Sequence, residues 1–158
     1  MIRKAEPKDV VRLMEMTQAL FESSKYHESL GVTYDLSSAV TCLLFHIKTK
    51  DCVLLVMEKE NEIVGFLMGQ KIRWFFNQNE FLGTSLYWYV EPEHRKGLGS
   101  IELLKAFESW AKENGCVGLD TGTTVKLQGE RVSQLFEKMG YPEQGMSHAK
   151  RLKRVGYA

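Results

Sequence analysis

The chain has 158 residues, 44% hydrophobic and 26% charged, which suits one globular domain and leaves no polar low-complexity stretch for a disordered tail. A formal net charge of +1 lacks the basic excess of a duplex-DNA binder, so no nucleic-acid partner is expected. The three cysteines, Cys42, Cys52 and Cys116, contain no CxxC pair, so neither a disulfide framework nor a metal site is expected, and the cytoplasm is the expected compartment.

Ile2–Ala5 reads as a short strand, and Pro7 suits the first turn of a helix. Val10, Leu13, Met14, Met16, Thr17, Leu20 and Phe21 recur near helical spacing and predict a first helix over 7–24. Residues 25–34 read as a loop. Asp35 is placed to cap a second helix whose apolar stripe is Leu36, Val40, Leu43, Leu44 and Ile47. Cys52–Glu58 and Ile63–Gln70, the second continuing toward Trp74, predict an antiparallel hairpin turned at Glu60-Asn61-Glu62. Phe75–Gly83 reads as a connection. Thr84–Val90 is a long strand, with Tyr87 and Tyr89 alternating against Leu86, Trp88 and Val90.

That strand leads through Glu91-Pro92-Glu93-His94-Arg95-Lys96-Gly97-Leu98-Gly99 into a helix whose predicted stripe is Leu98, Ile101, Leu104, Phe107, Trp110 and Ala111. Asn114-Gly115 ends the helix, and Cys116–Asp120 is the next strand. Strand, crossover helix and strand imply parallel pairing with a right-handed connection. After a Gly/Thr-rich loop, Gly122-Thr123-Thr124, come a helix over 129–139 and a final strand, Met146–Leu152. The basic run Lys150–Arg154 reads as the solvated end of an edge strand. The N-terminus lacks a signal peptide's apolar core, and no run of about 20 apolar residues is present, so no membrane partner is expected.

The segment Arg95-Lys96-Gly97-Leu98-Gly99-Ser100 has the chemistry of a phosphate site. Unpaired N–H groups at a helix start carry partial positive charge and suit a pyrophosphate. Glycines let the backbone approach it, and Arg95 and Lys96 add charge. The chain has no GxxxxGK[ST] and no GxGxxG after an N-terminal strand, which excludes a P-loop and leaves a Rossmann dinucleotide site unsupported.

With this loop in this order of elements, the chain resembles the GNAT superfamily of N-acetyltransferases over essentially its full length, most closely bacterial and phage members. The resemblance rests on the two glycines of Gln/Arg-x-x-Gly-x-Gly/Ala, here Gly97 and Gly99, with His94 in the first position and arginine one residue later. Ser133–Tyr141 resembles the second signature, with Phe136 where members usually carry the tyrosine that protonates the departing thiolate, and Gly129 where asparagine often stands. The resemblance implies a single domain over 1–158. Its expected fold is α/β (α+β): a mixed, mostly antiparallel sheet with two splayed parallel central strands and about four helices.

It also implies acetyl-CoA as cosubstrate, transferred to a primary amine of a small molecule or protein by direct attack on the thioester. Tyr89, Val90, His94, Arg95, Lys96, Gly97, Leu98, Gly99, Ser100 and Phe136 would hold the cofactor. Glu91 and Asp120 are the leading base candidates, beside His94 and His27; Tyr89 leads as acid, beside Tyr87 and Tyr141. Tyr26, His27, Tyr34, Trp74 and Phe75, with Phe76, are expected to line the acceptor pocket; the alternative use of the aromatic cluster is a homodimer contact. Because Phe136 donates no proton, the competing reading is a non-catalytic CoA-binding module of the same fold.

Overall fold

A computed structural model describes residues 1–122, 129–144 and 150–152. The chain forms two compact units, Met1–Thr17 with Leu36–Gly122, and Gln18–Asp35 with Thr123–Ala158.

The first unit is built on a sheet ordered β1 (Ile2–Lys4), β2 (Cys52–Lys59), β3 (Glu62–Trp74), β4 (Asn77–Val90) and β5 (Gly118–Asp120). The first four strands pair antiparallel, and β5 pairs parallel to β4 through Leu82↔Gly118, Gly83↔Leu119 and Thr84↔Asp120. Glu60 and Asn61 both take positive φ, 49° and 66°, the geometry of a tight hairpin turn, and asparagine tolerates it well. The expected connection Phe75–Gly83 is instead mostly strand: β4 starts at Asn77 and turns back directly on β3. β2 pairs with β3 only as far as Gln70, and β5 meets β4 only from Leu82. The intervening hairpin end therefore runs as a two-stranded ribbon among the described residues.

Helix α1 (Val10–Ser24) follows a 3-10 turn at Pro7–Asp9, and buries Val10, Leu13 and Met16 in this unit. Helix α3 (Leu36–Lys48) buries Leu43 and His46, while Leu36, expected in the apolar stripe, is 54% exposed at the first turn. Helix α4 (Gly99–Glu113) buries Leu103, Leu104, Phe107, Trp110 and Ala111. Leu98, also expected inside, is 70% exposed: it stands at the N-cap, outside the helical period that the other residues follow.

Missing Cβ atoms let α4 lie close on the sheet. A Cβ at Gly69 would run into the Phe107 ring, and one at Gly83 would stand 2.7 Å from Leu119 Cδ2 and 3.0 Å from Ala111 Cβ. Gly69 and Gly83 thus mark the α4 face. Strand alternation then puts Gln70, Met68 and Phe66 on the opposite face, and their partners Thr84, Tyr87 and Tyr89 with them. Within Thr84–Val90 the expected alternation breaks once: Met68 faces Tyr87 and Gly69 faces Ser85, leaving Leu86 as a bulge.

In the second unit, residues 25–34 are not wholly loop. Tyr26–Leu30 form a short helix, α2, between Lys25 and Gly31, both in left-handed conformation. Helix α5 (Gly129–Lys138) carries the buried Phe136 and ends before Gly140, whose φ of 85° favours glycine. Of the predicted last strand, Met146–Leu152, residues 146–149 lie outside the described residues, and 150–152 are not strand. Thr123 and Thr124 of the predicted Gly/Thr loop also lie outside them. Among the described residues, no helix is long and apolar enough to cross a membrane.

Candidate active site

The glycine loop sits where β4 ends. Pro92–His94 make a 3-10 turn, and α4 begins at Gly99 with no side-chain cap on its N-terminus. The first helical hydrogen bond runs from the Glu102 N–H to the Leu98 carbonyl, so the amides of Gly99, Ser100 and Ile101 precede the helical ladder. The two glycines serve different ends. A Cβ at Gly99 would collide with Met57 on β2, so a side chain there requires Met57 to shift. A Cβ at Gly97 meets nothing within 4 Å. The fold does not require glycine at that position, and the open space beside an uncapped helix start is what an approaching anion needs.

Arg95 folds back instead of pointing outward. Its Nε donates to the Val90 carbonyl at 2.7 Å, and its guanidinium lies 5.5 Å from the Tyr89 ring centroid. Tyr89 is buried, and desolvation pushes its phenol pKa up, with nearby Arg95 opposing. It therefore keeps its proton to higher pH than a free tyrosine. His94 turns toward two carboxylates: single ligand atoms of Glu91, Glu93 and His94 lie within 4.8 Å of one another. Lys96 lies in the same loop.

Glu91 is the most constrained of the base candidates. It is ion-paired with Arg12 of α1, and its backbone N–H donates to the Val64 carbonyl at 3.0 Å. Arg12 also donates from Nε to the Ile63 carbonyl at 3.1 Å and from Nη1 to Glu15 at 2.9 Å. No sequence signal pointed to Arg12, because its partner lies 79 residues away.

Asp120 stands elsewhere. It pairs with Thr84 at the last rung between β4 and β5 among the described residues, and β4 continues from Ser85 to Val90 paired with β3. Six residues of strand span roughly 20 Å, so Asp120 and Glu91 occupy opposite ends of that stretch of β4. By register Asp120 shares a face with Thr84, Tyr87 and Tyr89, away from α4. One residue past the last rung, the Ser85 and Thr121 hydroxyls meet at 2.7 Å.

Trp74, Phe75 and Phe76 form the tip of the β3–β4 ribbon, with Phe75 and Phe76 79% and 80% exposed and their rings edge-to-face. From Asn77 to Ser85, β4 carries them roughly 25 Å from the fork. In the second unit, Phe21 packs between Tyr26 and Tyr34 with centroids 6.2 and 5.7 Å away, and His27 Nδ1 is 3.0 Å from the Val32 carbonyl. Phe136 lies 5.9 Å from the Tyr141 ring. Desolvation pushes the thiols of Cys42, Cys52 and Cys116 above their ordinary pKa, which suits structural thiols rather than nucleophiles.

An uncapped helix start behind a glycine loop, continuous with an open strand edge, is the architecture of an acyl-CoA-binding acetyltransferase. The chain matches the acetyltransferase (GNAT) family over residues 11–141, and it belongs to that family. An aminoglycoside acetyltransferase from an uncultured soil metagenomic sample is 14% identical, covering 93% of this chain and 94% of its own, with a TM-score of 0.71. A predicted acetyltransferase from Clostridium acetobutylicum, solved with acetyl-CoA, is 18% identical, with 93% and 94% coverage and a TM-score of 0.72. A ribosomal-protein-alanine N-acetyltransferase from Brucella melitensis biovar Abortus is 15% identical, with 96% and 99% coverage and a TM-score of 0.70. At these identities the likeness is one of fold. No curated protein sequence matches the chain significantly.

Proposed function

We propose that the chain is a single-domain cytoplasmic N-acetyltransferase that moves the acetyl group of acetyl-CoA to a primary amine of a small molecule or protein. The observation that carries this reading is Gly97: a glycine that packing does not require, beside an uncapped helix N-terminus at the end of an open strand. The pyrophosphate sits against the amides of Gly99, Ser100 and Ile101, with Lys96 adding charge. Arg95 acts from behind, holding Val90 and Tyr89 in place. The pantetheine arm lies along β4 beyond the last β5 rung and carries the thioester toward the Leu86 bulge, where the strand re-aims its backbone groups.

The amine nitrogen attacks the thioester carbonyl carbon, the C–S bond breaks, and the thiolate leaves with the electron pair. Asp120, at the fork, takes the ammonium proton. Tyr89 shares that residue's face but lies five residues further along β4, roughly 16 Å by strand rise, so the thiolate leaves without it. Glu91, locked by Arg12, anchors the strand end. Proximity of the two bound reactants supplies much of the acceleration. The family resemblance offers Tyr26, His27 and Tyr34 for the acceptor, and the tip of the β3–β4 ribbon lies too far from the fork for a small amine to touch both.

A thiol-release assay with acetyl-CoA across a broad panel of amines and peptides tests this. Acetyl-CoA binding with no acceptor turned over would favour the other reading, a non-catalytic CoA-binding module, which the placement of Phe136 motivates.

A further inference from the structure

We infer that the Ser85–Thr121 hydroxyl pair is a positioning clasp that fixes where β4 and β5 part, and thereby where the thioester end of acetyl-CoA comes to rest. The inference rests on the proposed CoA site. The backbone ladder between the two strands stops at Thr84↔Asp120. At the next residue on each side the link passes from backbone to side chains, Ser85 Oγ to Thr121 Oγ1 at 2.7 Å. Immediately beyond, Leu86 bulges out of register with β3. Among the described residues the clasp is therefore the last tie between β4 and β5, and it stands one residue ahead of the strand's change of direction.

Its side of the sheet matters. Ser85 pairs with Gly69 and shares the α4 face with Gly83, where the absent Cβ atoms admit Phe107 and Leu119. The clasp thus ties the fork on the α4 face, the side opposite Thr84 and Asp120. Without it, the two strands would be free to separate further, and the bulge would lose the fixed point against which it is set. Ser85 and Thr121 touch no reacting atom in this scheme; they act through the backbone that does.

The test separates the two ends of the cofactor. Calorimetric affinities for acetyl-CoA and for adenosine bisphosphate, which lacks the pantetheine arm, would be compared in the wild type, Ser85→Ala, Thr121→Val and Thr121→Ser. Loss of one neutral hydrogen bond should weaken acetyl-CoA roughly three- to tenfold in Ser85→Ala and Thr121→Val. Adenosine bisphosphate affinity should stay unchanged, and Thr121→Ser, which keeps the hydroxyl, should restore acetyl-CoA binding. Equal weakening of both probes would show a merely structural tie and overturn the clasp, as would a Thr121→Val variant that binds acetyl-CoA like the wild type. A wild type that binds neither probe would instead bring down the CoA site itself.

Discussion

Arg95 donates to the carbonyl of Val90 at 2.7 Å and covers the ring of Tyr89, so the arginine of the glycine loop is tied to the strand that precedes it. A residue read from sequence as a phosphate ligand is thereby a brace between loop and strand. Arg95→Ala should leave the fold intact, since the side chain is only half-buried, and should weaken acetyl-CoA about tenfold through loss of a charge-assisted hydrogen bond. Parallel thermal melts and calorimetry check both halves; an unchanged affinity would return Arg95 to the surface.

The three glycines around α4 should separate binding from packing. Gly97→Ala meets open space, so its melting temperature should match the wild type while acetyl-CoA binding falls at least tenfold. Gly69→Ala forces a methyl group against the buried Phe107 ring and should cost about 1–3 kcal/mol in urea unfolding, as overpacked cores do. Gly99→Ala presses on Met57, a flexible but buried side chain, and should be intermediate.

Asp120 and Glu91 should diverge kinetically. Asp120→Asn removes the proposed base and should lower kcat by about a hundredfold with little change in the KM for acetyl-CoA. Glu91→Gln breaks the pair with the half-exposed Arg12, so its main effect should be a stability loss of about 1 kcal/mol or less. The opposite ranking of kcat values would make Glu91 the base and the Arg12 pair part of the chemistry.

The pH dependence of folding should report Asp9. Its carboxylate accepts from Arg3 at 2.7 and 3.0 Å and from the Glu6 N–H at 2.8 Å, and the Arg3 hydrogen bonds hold its pKa below the ordinary value, with burial opposing. A depressed carboxylate stabilises the fold above its unfolded pKa and loses that contribution as pH falls through the folded one. Asp9→Asn should therefore cost about 2 kcal/mol near neutral pH, and the gap to the wild type should narrow below about pH 4. A gap independent of pH would contradict the assignment.

Much of this was readable in the chain. Alternating strands, the Asn114-Gly115 stop and the glycine loop each have a local signature, and the strand–helix–strand order correctly implied the parallel β4–β5 pair. What was not readable depends on register or on distance. The Leu86 bulge is one unpaired residue whose position only the pairing with β3 defines. Glu91 and Asp120 were both legible as base candidates, but not that the ladder stops at Thr84 and sets the two far apart. The aromatic cluster Trp74–Phe76 offered pocket lining or a homodimer contact, and sequence shows its apolarity but not which end of a long hairpin carries it. Leu98 fell on the helical stripe by count, yet a cap residue does not obey the period.

The open loop at Gly97 is the proposed acetyl-CoA site. Isothermal titration of the wild-type chain with acetyl-CoA tests it most directly, with Gly97→Ala as the matched control. One molecule bound per chain in the wild type, and at least tenfold weaker binding in a Gly97→Ala variant of unchanged melting temperature, is the predicted result. No heat of binding at millimolar acetyl-CoA, or equal affinity in the two proteins, would contradict it.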